Sequence, residues 1–206
     1  MEQYAIAVAA RKAVRARTAS TEIGDSLTVA ALSLLESEGL AALTVRSVAT
    51  HAGVAPMGVY SRFGSKAGLL EALFVHGFVK LQSAIDRAQE RDALQRLRTG
   101  CLHYREFAIA HPQLYHLMFE QMMNLELSPD ALDVARGTFT TLVDLVATAM
   151  QAGQLDDGDP VEVAQQLWSA MHGAVSLEIA DVHFAVDRQT NFESLIGSLL
   201  RGLSGR

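Results

Sequence analysis

The segment from Leu43 to Lys66, LTVRSVATHAGVAPMGVYSRFGSK, leaves the chain little choice of local structure. Val45, Val48, Ala49 and Ala52 stand at i, i+3, i+4 and i+7, which puts them on one face of a helix with Arg46, Ser47 and Thr50 outward. Gly53 follows the last of them, where the chain needs a left-handed or otherwise tight conformation. Val54 can tuck into the angle between two helices, and Pro56 suits the first turn of a new one, where a missing N–H costs nothing. The second helix runs to about Phe63. Val59 and Phe63 are four apart and pack against the first helix; Met57, Gly58, Ser61 and Arg62 project away, with Tyr60 at the margin, its ring packed inward. Two short helices, a tight turn and an exposed second helix make a helix-turn-helix, a unit that lays its second helix in the major groove of DNA.

Thr44, Arg46, Ala49, the Ala52-Gly53-Val54 turn, Tyr60, Phe63 and Lys66 together resemble the DNA-binding domain of the TetR family of bacterial transcriptional regulators, over roughly Thr21 to Leu81. Farther along, Trp168, His172 and Gly173 in QLWSAMHGAVSLE resemble the "WHG" C-terminal domain of one branch of that family. The resemblance implies an all-α fold: a three-helix helix-turn-helix domain over 21–81 with its motif at 44–63, then a helical ligand-binding and dimerisation domain over 82–206. It also implies a homodimer in which the last two helices pair with their copies in a four-helix bundle.

Charge is divided unevenly along the chain. The net of −6 breaks into seven Lys or Arg against five Asp or Glu through Lys66, and ten against eighteen beyond it. A mildly basic front on an acidic body fits a polyanion-binding module. Half of the residues are hydrophobic, enough for a sizeable core, and strand signals are close to absent. Cys101 is the only cysteine, so no intrachain disulfide forms and a reducing cytoplasm is the natural compartment; a small buried hydrophobe is its expected role. No apolar run is expected to approach the roughly 20 residues that span a bilayer, and the first residues put their apolar run before their basic cluster, the reverse of a secretory signal.

Residues 1–20 carry Arg11, Lys12, Arg15 and Arg17. Two readings stand: a basic arm touching phosphates or the minor groove, and a solvated tail. From Thr21 to Glu38, Ile23, Leu27, Ala30, Ala31, Leu34 and Leu35 form a helical stripe, capped by Ser20 or Thr21 and stopped by Gly39. A long helix from Lys66 to about Gln89, capped by Ser65, follows the motif, and His76-Gly77 in its middle marks either a bend or close packing. Further helices are expected over Asp92 to Ala110, over Gln113 to Met123, from Pro129 to Ala152 behind Ser128, from Pro160 behind Asp159, and from about Asn191 to Leu203. The last two are apolar over a wide arc, more than one contact face needs, so a partner is expected there.

The DNA-facing candidates are Thr44, Arg46, Pro56, Met57, Gly58, Tyr60, Ser61, Arg62 and Lys66. Thr44 can cap its helix and offer its hydroxyl to a phosphate. Arg46 and Arg62 can reach a guanine edge or a phosphate, and Met57 either meets a thymine methyl or packs on its own helix. Gly58 costs about 1 kcal/mol relative to alanine in mid-helix, which close approach of backbone to DNA would explain. Lys66 at a helix start would welcome a phosphate. Ala55 stands where the family usually has Ser or Thr, so the second helix loses a side-chain cap, and shape readout gains weight.

A pocket for an unidentified, largely apolar effector is expected among the fifth to eighth helices. Its candidates are His103, Tyr104, Phe107, Met118, Phe119, Met122, Phe139, Trp168 and His172; the resemblance puts His172 near the ligand. No cofactor or catalytic residue is expected, and the scattered histidines show no metal-ligand spacing. The reading is a DNA-binding regulator, a ligand-responsive repressor that as a homodimer sets two recognition helices about 34 Å apart on a palindromic operator. Its rivals are an all-α small-molecule binder or enzyme with a merely structural N-terminal unit, and a dimeric module that contacts protein around Met57.

Overall fold

The computed structural model describes residues 26–204, and every regular element among them is helical. The chain divides within one long helix, after Leu73, into two compact units. The boundary expected from the sequence, after Leu81, lies later in the same helix.

In the first unit, helix α1 covers 26–38 and buries Leu27, Ala30, Ala31, Leu34 and Leu35. The basic arm at 1–20, Ile23 and the proposed cap at Ser20 or Thr21 lie outside the described residues. A short 3-10 turn at Leu40–Ala42 leads to Leu43, fully buried, and to α2 at Val45–His51. Thr44 Oγ1 accepts the Ser47 N–H at 3.1 Å while Ser47 Oγ accepts the Thr44 N–H at 3.0 Å. This reciprocal pair satisfies two otherwise orphaned donors. Gly53, at φ 68°, makes the turn into α3 at Pro56–Phe63; an L side chain would resist that conformation.

Helix α4, Lys66–Asp86, begins where the Ser65 hydroxyl accepts the Gly68 N–H at 3.1 Å. It ends short of Gln89 because the N–H groups of Arg87 and Ala88 bond back three residues, to Ala84 and Ile85, tightening the last turn. By length and composition α4 is apolar enough to cross a bilayer, which corrects the expectation that no run comes close. Its apolar content is explained by packing: Leu69, Leu73, Phe74, Phe78 and Leu81 are all buried inside the protein.

The second unit is built around α5, Ala93–Ala110, which packs on α6, Pro112–Phe119, on α7, Pro129–Gln151, on α8, Pro160–Ile179, and on α9, Arg188–Leu203. Asp92, Ser128 and Asp159 cap α5, α7 and α8 by accepting N–H groups of Gln95, Ala131 and Val161. Helix α6 stops at Phe119, before Met123, because the N–H groups of Glu120 and Gln121 converge on the His116 carbonyl; a 3-10 turn at Met122–Asn124 follows and leaves Met123 in solvent. Helix α9 starts at Arg188, earlier than Asn191, because Asp187 accepts the Thr190 N–H at 3.0 Å.

Gly77 settles as close packing: a Cβ there would meet Met118 Sδ at 2.5 Å and Leu114 Cδ1 at 3.3 Å. Arg105 on α5 forms a two-pronged pair with Glu178 on α8, at 2.9 and 2.6 Å, and its guanidinium lies 5.8 Å from the Phe192 ring centre on α9. Cys101 is buried and its thiol pushed up to about 12, so it is a small core hydrophobe. The wide apolar arcs of α8 and α9 are mostly absorbed within the unit. Helix α8 shows Val161, Glu162, Gln165 and Gln166 to solvent in its first turns and Ser169, Gly173 and Leu177 farther along, and α9 shows Arg188, Gln189, Thr190, Asn191, Ser194, Ser198, Arg201 and Gly202.

Candidate functional site

The first unit offers an exposed helical face. Leu43, Val48, Ala49 and Val59 are buried between α2 and α3, and this packing turns the opposite face of α3 to solvent. Met57 and Ser61 lie on that face, Met57 at 73% exposure, with Pro56 and Arg62 exposed at its edges; Thr44, Arg46 and Lys66 are exposed as well. Tyr60 corrects the reading in one respect. Val59 and Phe63 take the inward positions, so the Tyr60 ring is 50% exposed and does not pack inward. The Arg62 guanidinium lies 5.5 Å from the centre of the Phe63 ring.

Helix α3 starts without a side-chain cap: Ala55 holds the N-cap position at φ −70°, ψ 147°, with Pro56 behind it. Gly58 is half-buried, yet a Cβ there would touch only Val54, at 3.6 Å, an ordinary contact. Nothing within the fold demands glycine at that position. Gly68 differs, because a Cβ there would drive into the Phe63 carbonyl; the turn through Gly64 and Ser65 is thereby held tight against the end of α3. Ser47, three residues after Thr44, is the second half of the capping box, and that spacing is its signal in the sequence.

The second unit contains a cavity of about 320 Å³. Tyr104 of α5, Phe119 of α6, Met122, Phe139 of α7 and Trp168 of α8 line it as expected. Helix α4 adds Phe78, Leu81 and Ile85, and α7 adds Leu132, Ala135 and Arg136. Gln165 and Met171 complete the α8 side. The α7 and α8 additions share the helical faces of Phe139 and Trp168, so periodicity held their signal; nothing in the sequence separated the α4 residues from ordinary core.

Four expected lining residues do not reach the cavity. Met118 is fully buried against Gly77, and Phe107 tilts against His111 with ring centres 5.3 Å apart. His103 lies near Glu90, whose carboxyl it helps hold below the usual range after the Thr99 hydroxyl, and its Nδ1 is buried without a partner among the described residues. His172 stands behind the wall, its ring centre 5.0 Å from Phe119 and 5.8 Å from Trp168.

Behind that wall runs a buried polar chain. The hydroxyls of Tyr104 and Tyr115 are 2.6 Å apart, and the Tyr115 hydroxyl is 2.6 Å from His172 Nδ1. Burial pushes the Tyr104 phenol up to about 12, against hydrogen bonding from Tyr115 and Trp168, and raises Tyr115 further; burial lowers His172. A neutral imidazole unprotonated at Nδ1 accepts a hydrogen bond from the Tyr115 hydroxyl, and Tyr115 in turn accepts one from the Tyr104 hydroxyl. Among the described residues no three His, Cys, Asp or Glu gather to hold a metal ion.

Comparison with known proteins adds to this geometry. Residues 27–73 match the family described as bacterial regulatory proteins, tetR family, and residues 97–199 match the tetracyclin repressor-like C-terminal domain. A protein of Mycobacterium tuberculosis, called an uncharacterized HTH-type transcriptional regulator, is 25% identical over 185 residues, covering 88% of this chain and 82% of its own length. Among solved structures, a protein of unknown function from Rhodococcus sp. RHA1 matches with a TM-score of 0.82 at 26% identity, over 89% of this chain and 96% of that one. The TetR family transcriptional regulator PfmR from Thermus thermophilus matches with a TM-score of 0.67 at 17% identity, over 87% of this chain and 99% of its own.

Proposed function

Because this chain belongs to the TetR family of DNA-binding transcriptional regulators, we propose that it is a ligand-responsive repressor that binds a palindromic operator as a homodimer. The observation that carries the reading is the α3 face, where Met57, Ser61 and Arg62 stand exposed around a glycine the fold itself does not require. Thr44, Arg46, Tyr60 and Lys66 flank that face and reach for phosphates, while Pro56, Met57 and Gly58 bring backbone and an apolar tip to the base edges.

Dimerisation through α8 and α9 is supported by a run of small exposed residues on each, Ser169 and Gly173 on α8 and Ser194, Ser198 and Gly202 on α9, beside the exposed Leu177. A Cβ at Gly173 or Gly202 would meet nothing within 4 Å, so neither glycine serves the monomer's own packing. Small side chains allow two helices to approach closely. The cavity is the effector site in this reading, and an effector represses or releases only by its different affinity for the DNA-competent and incompetent states.

The test is a titration of the full chain against a duplex selected from a random library, across a range of salt. Binding should weaken steeply and linearly in log salt, and Arg46→Glu should abolish it while the circular dichroism spectrum stays unchanged. A flat salt response, or full binding by the variant, would overturn the assignment.

A further inference from the structure

Resting on the reading of the cavity as an effector site, we propose that its ligand is an amphipathic anion: an apolar body held inward, ending in a single carboxylate that docks on Arg136 at the mouth. The depth of the cavity is walled by Phe78, Leu81, Phe119, Leu142 and Met171. Its inner polar groups are already engaged. The Tyr104 hydroxyl is bonded to Tyr115 at 2.6 Å, and the Thr138 hydroxyl donates to the Phe78 carbonyl at 3.2 Å. The buried polar atoms that lack a partner among the described residues belong to His76, Glu90 and His103, none of which lines the cavity. A polar group carried to the inner end of a ligand would therefore lose its water and find nothing in exchange, so the inner end is apolar.

The mouth has the opposite character. Arg136 on α7 and Gln165 on α8 are exposed lining residues, and they mark where the cavity meets solvent. No Asp or Glu lines the cavity, so Arg136 is its one full charge among the described lining residues. Arg136 is paired only along its own helix, with Asp133, and the two side chains are 69% and 65% exposed. Such a pair is weak and readily shared. A guanidinium has five donors in a planar fork, more than Asp133 occupies, and the fork matches a carboxylate.

Trp168 is the only tryptophan and lines the cavity, so its emission reports occupancy directly. The full chain is titrated with decanoate and decyltrimethylammonium below their micellar concentrations and with decan-1-ol below its solubility limit. Decanoate should bind roughly fivefold more tightly than the alcohol, the scale of an exposed charge pair, and the ammonium should bind least. Arg136→Gln should bring decanoate down to the alcohol, and Asp133→Asn, which frees the guanidinium, should widen the gap. Equal affinity of acid and alcohol in the unaltered protein, or a preference that survives Arg136→Gln, overturns the inference while leaving the cavity as a ligand site. If none of the three probes changes the emission, both the inference and the effector reading of the cavity fall, whereas the DNA titration stands apart from either result.

Discussion

Replacing Gly58 by alanine sets stability against binding. The new methyl would sit 3.6 Å from Val54 Cγ2 and 3.9 Å from its Cβ, with nothing nearer, so the fold admits it without strain. At the third residue of α3 the exchange is worth up to about 1 kcal/mol through backbone entropy, the helix-interior value being its upper bound. For a unit of this size that amounts to a rise of roughly 4 °C in the transition that includes α3. On DNA the same methyl would hold the helix away from the groove, and affinity for the selected duplex should fall by about tenfold or more, the scale of one lost base contact. Calorimetry and fluorescence anisotropy on the same preparations give both numbers. A variant that melts higher and binds as well as before would refute the idea that Gly58 is there to let backbone approach DNA.

Three more outcomes follow from the second unit. Glu178→Ala strands the Arg105 guanidinium between α5 and α9, at side-chain exposures of 14% and 10% for the pair, and should cost roughly 3 kcal/mol in denaturant unfolding. Gly173→Glu meets open space in the monomer but would put like charges across the proposed two-fold contact, so sedimentation should find a folded monomer and a dimer constant weakened by about a hundredfold. Burial holds His172 below 6.5, so the unfolded chain takes the proton first as pH falls; the stability is intact above about 6.5 and is lost as pH drops towards the folded value. His172→Asn should therefore flatten part of the decline in melting temperature between about pH 7 and pH 5, and an unchanged slope would show that this imidazole is not the group being titrated.

The helices of this protein are legible where a polar cap meets a proline, as at Ser128-Pro129 and Asp159-Pro160, because those pairs act on the next few residues and nowhere else. They are less legible at ends set by geometry, such as the convergence of two N–H groups on the His116 carbonyl. The α3 face could be read because its exposed residues share one short helix. The cavity could be read only in part. Periodicity says that Phe107, Met118 and His172 point inward, but it does not say towards which neighbour, and packing sent Met118 to Gly77 and His172 to Tyr115. The Arg105–Glu178 pair left no trace, since its members are 73 positions apart on separate helices.

Helix α3 is poorly provided for as a helix in its own right. It spans Pro56–Phe63, begins at an alanine that accepts no N–H, carries a glycine in its first turn, and buries only Val59 fully. Segments so short hold little helical order of their own in water. The order of α3 therefore rests on packing against α2 through Val59, and backbone phosphates of an operator would stand in for the missing cap. A duplex whose phosphates sit at the uncapped start of α3 would add to the helix the one thing its own sequence leaves out.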